Sequence, residues 1–192
     1  MSPGYLGVER MTNILNNIQH SEEKNDELYT PVLLSKKLIK HISIEEEHSC
    51  YDPFYGTGSF FNNFNNNKSN SYSEINLGKD FFKYNKKHDW VISNPPFSQL
   101  TKVFEHTFLI SKVGFAYILP SYSLSCRRLQ MASDNGFYLN KLIHFKNPKE
   151  WRLGFQMVFA IFTKNQNNSF VNLDSKTGIQ KKIFENYEEA LE

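Results

Sequence analysis

Asn94-Pro95-Pro96-Phe97 is the stretch of this 192-residue chain best equipped for chemistry. It ends a short apolar run, Asp89-Trp90-Val91-Ile92-Ser93, whose β-branched centre and polar flank from Lys83 to His88 read as a buried strand that stops abruptly. Two consecutive prolines fix φ and remove two backbone donors, so the carbonyls of Asn94 and Pro95 are presented on a stiff turn. The side-chain oxygen of Asn94 and the Pro95 carbonyl make an acceptor platform, with the aromatic face of Phe97 beside it. Such a platform suits a planar amino group whose lone pair is delocalised, as in adenine, cytosine or a carboxamide. Two acceptors holding its hydrogens favour a tetrahedral nitrogen and free the lone pair for attack. If the electrophile is a methyl group on a sulfonium, no strong base is needed, because the proton leaves afterwards. The plainer alternative is a strand followed by a diproline turn with Phe97 in the core.

A second group lies upstream. Ser49-Cys50-Tyr51 runs into Asp52-Pro53-Phe54-Tyr55-Gly56-Thr57-Gly58, a strand leading through a glycine-containing turn into a predicted helix. Glycines there let the backbone approach a ligand, and an acidic residue at a strand end accepts from an ammonium or hydroxyl. Taken alone, Gly-x-Gly more often marks a plain strand-to-helix turn.

The elements that must position these groups follow from apolar spacing. Val8, Met11, Ile14, Leu15 and Ile18 recur at helical spacing, and His20 to Glu27 reads as a linker. Tyr29-Thr30-Pro31 opens a helix to about His41, with Thr30 as cap, Pro31 in the first helical position, and Val32, Leu33, Leu38 and Ile39 facing inward. Ser71 to Ile75 reads as a strand carrying Glu74, and Asn76-Leu77-Gly78 turns the chain towards Lys79-Asp80-Phe81-Phe82. Downstream come a helix from Leu100 to Ser111, a strand at Val113–Leu119, a helix at Ser125–Ser133, and strands at Leu142–Phe145 and Met157–Phe162. After Lys164 the pattern weakens to a last strand and a short helix. Strands alternating with helices over short connections predict an α/β domain with a mostly parallel sheet.

Composition sets the remaining bounds. With 40% hydrophobic and 15% aromatic residues, the chain can bury a core, which excludes a disordered chain. A net charge of +2 permits nucleic-acid binding without demanding it. Cys50 and Cys126 stand far apart with no accompanying Cys/His cluster, so neither a disulfide framework nor a metal site is expected. With no apolar leader or membrane-length run, the expected setting is cytoplasmic.

The order of the motifs, Thr30-Pro31, Asp52-Pro53-Phe54-x-Gly-x-Gly, an acidic residue, Asp80-Phe81-Phe82 and Asn94-Pro95-Pro96-Phe97, resembles the amino-methyltransferases that use S-adenosylmethionine, specifically the adenine-N6 DNA methyltransferases. The resemblance covers roughly residues 29 to 164. It implies a Rossmann-like class I methyltransferase fold, with helices on both faces of the sheet and one antiparallel strand, here Met157 to Phe162. Residues 1–28 would then be an N-terminal helix and linker, 29–164 the catalytic domain, and 165–192 a C-terminal extension.

Carried over position by position, the resemblance gives Tyr29, Thr30 and Pro31 to the methionine end of the cofactor. Asp52, Pro53, Phe54, Gly56 and Gly58 match the loop around its amino-acid moiety, with Asp52 accepting from the ammonium. Glu74 would bond the ribose, and Asp80 with Phe81 would hold the adenine. Asn94, Pro95, Pro96 and Phe97 form the catalytic motif, in which Phe97 stacks on a target base flipped out of the duplex.

This chain departs from the family in two respects. Only a short turn separates Glu74 from Asp80, and no stretch is long enough to be a target recognition region. Selectivity would then come from short loops, a partner subunit or a homodimer. The candidate nucleic-acid contacts are Ser98, Lys102, Arg127, Arg128 and Trp151; a solvated face is the alternative for the arginines, and a core anchor for Trp151. DNA is the first substrate expected. RNA or a protein glutamine is the second, and a non-catalytic subunit that binds nucleic acid the third.

Overall fold

Alternating side chains of the central strands are buried on both faces of one sheet. In the computed structural model, residues 28–64 and 69–164 are described in full and residues 169–174 and 178–182 by their backbone. The strands are β1 (Cys50–Asp52), β2 (Ser71–Tyr72), β3 (His88–Ser93), β4 (Ser111–Pro120), β5 (Tyr138–His144), β6 (Met157–Thr163), β7 (Ser169–Asp174) and β8 (Gly178–Lys182). They are ordered β2-β1-β3-β4-β6-β5-β7-β8. β2, β1, β3 and β4 pair in parallel, and β6 runs antiparallel between β4 and β5. β6 is the antiparallel strand expected at Met157. β7 adds a parallel strand to β5 and pairs antiparallel with β8, so two strands are described where one last strand was expected; the short helix expected after it has no counterpart among the described residues, and residues 183–192 lie outside them.

Period-2 alternation divides the core. Phe115, Tyr117 and Leu119 of β4 face one side with Val103 and Phe104; Ala116 and Ile118 face the other with Leu38 and Ile39. Helix α1 (Val32–Ile39) covers the second side, and α2 (Leu100–Ile110) with α3 (Cys126–Asp134) the first. Ser125 caps α3 by accepting from the Arg128 amide.

Several local expectations shift. The N-cap of α1 is Pro31, in extended conformation (ψ 137°), and the Thr30 hydroxyl caps nothing. Val32 and Leu33 are exposed, while Ser35, Leu38 and Ile39 face the core. The helix expected after Gly58 is reduced to one 3-10 turn, Phe61–Asn63. There the Asn63 side chain donates from Nδ2 to the Ser59 carbonyl (2.8 Å) and so competes with the helical backbone pattern. β2 stops at Tyr72, and Glu74 instead caps a 3-10 turn over Ile75–Leu77. The helical spacing at Val8–Ile18 lies outside the described residues. Among the described residues, no helix is long and apolar enough to cross a membrane.

One glycine in β4 is fixed by close approach. A Cβ at Gly114 would lie 2.5 Å from the Phe162 carbonyl oxygen and 2.6 Å from the Trp90 ring. Gly114→Ala is expected to cost ~1–3 kcal/mol in denaturant unfolding, because backbone on one side and a buried indole on the other leave nothing to yield.

Candidate active site

β1 is flanked by β2 on one side and β3 on the other, so the connections leaving β1 and β3 diverge at the carboxyl ends of these strands. Open α/β sheets bind ligands at such a switch point. Asp52 ends β1, and Asn94 follows the last residue of β3.

Asp52 is almost fully buried, at 1% exposure. Its Oδ1 accepts from the Ser93 hydroxyl at 2.6 Å and from the Phe54 amide at 3.3 Å. Its Oδ2 has no partner among the described residues. Burial, with a smaller push from the Glu74 charge, raises this carboxyl to about 7, although the Ser93 hydroxyl and the backbone N–H groups of Phe54 and Phe61 pull the other way. Ser93, which sequence reasoning missed, therefore orients Asp52 and leaves its second oxygen available. Asp52 keeps its proton to about pH 7 in the fold but only to 3.8 in the unfolded chain. Its contribution to stability is thus full below pH 3.8 and lost as pH rises through about 7. An ammonium at Oδ2 selects the ionised form. Affinity for a ligand carrying one is expected to fall about tenfold per pH unit below pH 7, with proton release. Calorimetry in buffers of different ionisation enthalpy reads both; an affinity flat between pH 5 and 8 contradicts the assignment.

The turn after Asp52 is held from two sides. Gly56 and Gly58 have φ of 52° and 79°, and a Cβ at Gly58 would meet the Tyr55 hydroxyl at 2.6 Å. The Gly56 amide donates to Glu74 Oε2 at 2.8 Å, and Glu74 also accepts from the Asn76 amide. Glu74 thus fixes the glycine turn in this structure. Asp80 accepts from the Phe82 amide at 2.9 Å, and Phe81 is buried among Tyr51, Phe54 and His106. The outward ring beside Asp80 is that of Phe82.

Asn94 is oriented by an acceptor. Its Nδ2 donates to the Leu28 carbonyl at 2.8 Å. A carbonyl only accepts, so the amide nitrogen faces Leu28, and Oδ1 is left buried without a partner among the described residues. The Thr30 hydroxyl is buried and partnerless in the same way. Tyr29, Thr30, Phe54, Gly56 and Asn94 line one cavity of about 30 Å³, room for a group the size of an ammonium. Pro53 follows Asp52 in the same turn and is buried, as is Pro95; Pro96 and Phe97 are partly buried, and Phe97 packs against both halves of the core.

The expected nucleic-acid contacts divide. Ser98, Lys102 and Arg127 are exposed. Arg128 is half-buried: its guanidinium donates to the Ser123 carbonyl and lies 5.7 Å from the centre of the Phe104 ring, tying down the turn after β4. Burial lowers its pKa. Of the two readings of Trp151, the core anchor is the one observed: it is 6% exposed, lies edge-on to Phe145, and donates from its indole to the Tyr29 carbonyl at 2.9 Å. Two further aromatics near these loops are accessible: Tyr122, 59% exposed, and the partly buried Phe155, in edge contact at 5.3 Å. Their position directly after β4 and directly before β6 was the available signal. Among the described residues, no group of His, Cys, Asp or Glu could hold a metal ion.

The fold is shared with solved methyltransferases. A modification subunit of a candidate type I restriction enzyme from Vibrio vulnificus YJ016 aligns with TM-score 0.59 and 13% identity over 90% of this chain and 52% of its own. A candidate class I S-adenosylmethionine-dependent methyltransferase from Listeria monocytogenes aligns with TM-score 0.59 and 14% identity, covering 79% of this chain and 68% of that one. A candidate RNA methyltransferase from Pyrococcus horikoshii gives TM-score 0.54 and 20% identity, covering 69% and 82%. The chain spans about half the length of the type I subunits it resembles, 52% and 50% in the Vibrio vulnificus and Streptococcus thermophilus proteins. No protein-family model and no curated protein matches the sequence. The architecture is the Rossmann-like fold of class I methyltransferases, as the motif order led one to expect.

Proposed function

We propose that the protein is an S-adenosylmethionine-dependent N-methyltransferase acting on adenine N6 in DNA. One observation carries this reading: of three buried, partnerless polar atoms, Thr30 Oγ1 and Asn94 Oδ1 belong to residues lining one cavity, and Asp52 Oδ2 belongs to the carboxylate bonded to Phe54 of that lining and to Ser93, the residue before Asn94. Leaving a buried polar group unsatisfied costs about 1–3 kcal/mol, so the cluster fits a site that a ligand completes. The donor set fits the cofactor. Asp52 and Thr30 would hold its amino-acid end, with the Gly56–Gly58 turn close behind. When bound, the cofactor supplies a methyl group on a sulfonium.

The chain's own residues do the rest. Asn94 Oδ1 and the Pro95 carbonyl accept the two hydrogens of the target amine and draw its nitrogen towards tetrahedral geometry. That frees the lone pair for the methyl carbon. The nitrogen would then take the methyl group that a bound cofactor supplies, the bond to sulfur being the one broken, and the extra proton would leave nitrogen for solvent. Phe97, partly buried, would stack on the extruded base, and Tyr122 with Phe155 would close the opposite side. Exposed Lys102 and Arg127 would meet phosphate. A partner subunit or a second copy of this chain would supply most base reading, because the loops after β4 (121–125) and between β5 and β6 (145–156) are short.

RNA is the second reading. It is favoured by the Pyrococcus horikoshii likeness, which covers 82% of a candidate RNA methyltransferase. To decide, duplex DNA and RNA are incubated with cofactor and protein, digested to nucleosides and examined by mass spectrometry. N6-methyldeoxyadenosine from DNA is expected. Methylation confined to RNA would replace the first reading by the second, and an amine left unmethylated in both would remove both.

A further inference from the structure

Three successive carbonyls of one extended segment accept hydrogen bonds from three different parts of the site. The Leu28 carbonyl takes the Asn94 amide at 2.8 Å, the Tyr29 carbonyl takes the Trp151 indole N–H at 2.9 Å, and the Thr30 carbonyl takes the Ser59 hydroxyl at 2.5 Å. Residues 28–30 are therefore stitched to the end of β3, to the loop between β5 and β6, and to the glycine turn. Of the three donors, only Trp151 lies outside the motifs already assigned to cofactor and target and the turn that carries them. It is held rigidly: the ring is buried against Phe145, and the next residue, Arg152, is the one non-glycine residue with positive φ (45°) among the described residues. Such a backbone persists only where the surroundings impose it. The Tyr29 ring in turn lies against Gly56, 3.2 Å from where a Cβ would stand.

We propose that Trp151 is a positioning residue for methyl transfer. Its N–H fixes the Tyr29 carbonyl, which keeps the adjacent Leu28 carbonyl in place to hold the Asn94 amide with its oxygen turned towards the target amine. The same strap presents the Thr30 hydroxyl to the cofactor side. Trp151 touches neither cofactor nor substrate; it acts through the backbone of residues 28–30. This rests on the methyltransferase reading above.

The test compares Trp151→Phe, which removes the N–H and keeps an aromatic ring, with Phe145→Leu, which loosens the same packing and keeps the N–H. Both are measured in the whole chain for melting temperature, S-adenosylmethionine affinity, turnover, and hydrogen exchange of the Asn94 side-chain amide in the free protein. That amide is assigned by its disappearance in Asn94→Ala. Both variants are expected to melt lower. Only Trp151→Phe is expected to speed Asn94 amide exchange, weaken cofactor binding about fivefold, corresponding to ~1 kcal/mol, and lower turnover about tenfold. In an Asn94→Ala background, Trp151→Phe should weaken cofactor binding as before and cost no further turnover. If it matches Phe145→Leu in every readout, or its effect on turnover simply adds to that of Asn94→Ala, Trp151 is a core residue and nothing more. A wild-type protein that neither binds S-adenosylmethionine nor transfers methyl overturns the proposed function itself, whatever the exchange data show.

Discussion

Asn94→Ala is expected to lower turnover by about 100- to 1,000-fold while leaving cofactor affinity within about threefold of wild type. The Asn94 amide is held by Leu28 in the free protein, and its oxygen is already turned inward without a partner. No reorganisation is required at the moment of transfer, which is the condition under which a single preorganised group is worth ~2.7–4 kcal/mol. The interaction strengthens as the amine becomes tetrahedral and positively charged, so the loss belongs to kcat and not to binding. Single-turnover kinetics with saturating cofactor separate the two. A fall of less than about tenfold, ~1.4 kcal/mol, would remove Asn94 from the chemistry.

The second large effect concerns Asp52. Asp52→Asn is expected to weaken S-adenosylmethionine binding by at least about 100-fold and to raise, not lower, the melting temperature of the free protein at pH 8. A buried carboxylate whose pKa is pushed up to about 7 is unfavourable to the apo fold once ionised. An amide of the same shape still accepts from the Ser93 hydroxyl and removes that charge. What it cannot do is meet a buried ammonium as a charged partner, and losing one side of such a pair costs ~3–5 kcal/mol. Calorimetry paired with thermal melting checks both signs. A variant that binds the cofactor like wild type, or that melts lower at pH 8, would contradict the role given to Oδ2.

How far the site was legible follows from which interactions are local. The strands that lead to Asp52 and Asn94 were readable because apolar runs bounded by Gly and Pro decide them within a few residues. The acceptor character of Asn94-Pro95-Pro96 is written into the side chain and the missing amides. Ser93 was invisible as the partner of Asp52 because that contact depends on β1 and β3 being parallel neighbours, a property of strand order. Thr30 read as a helix cap on the strength of Pro31. Instead, the Thr30 carbonyl is claimed by Ser59, 29 residues away, and the helix begins at Val32. Val32, Leu33, Leu38 and Ile39 of α1 were all expected inward, yet at about 100° per residue Leu33 falls roughly opposite Ser35 and Leu38, and Val32, on the stripe of Ile39, is exposed in the first turn of the helix. Trp151 left a base contact and a core anchor both open, and Arg128 a phosphate contact and a solvated face, because a sequence lists side chains without their partners. Each is occupied by a backbone carbonyl, Tyr29 and Ser123 respectively.

The convergence of Asp52, Thr30 and Asn94 on one cofactor and one amine is tested most directly by a crystal structure of the protein with S-adenosylmethionine bound. The cofactor ammonium should lie about 2.7–3.2 Å from Asp52 Oδ2, hydrogen-bonding distance for a charged pair. The Thr30 hydroxyl should bond its amino-acid end, and the sulfonium methyl should point to the space in front of Asn94 Oδ1. A cofactor bound elsewhere, or bound here with Asp52 Oδ2 and Asn94 Oδ1 both still unpartnered and the methyl turned away from Asn94, would contradict it.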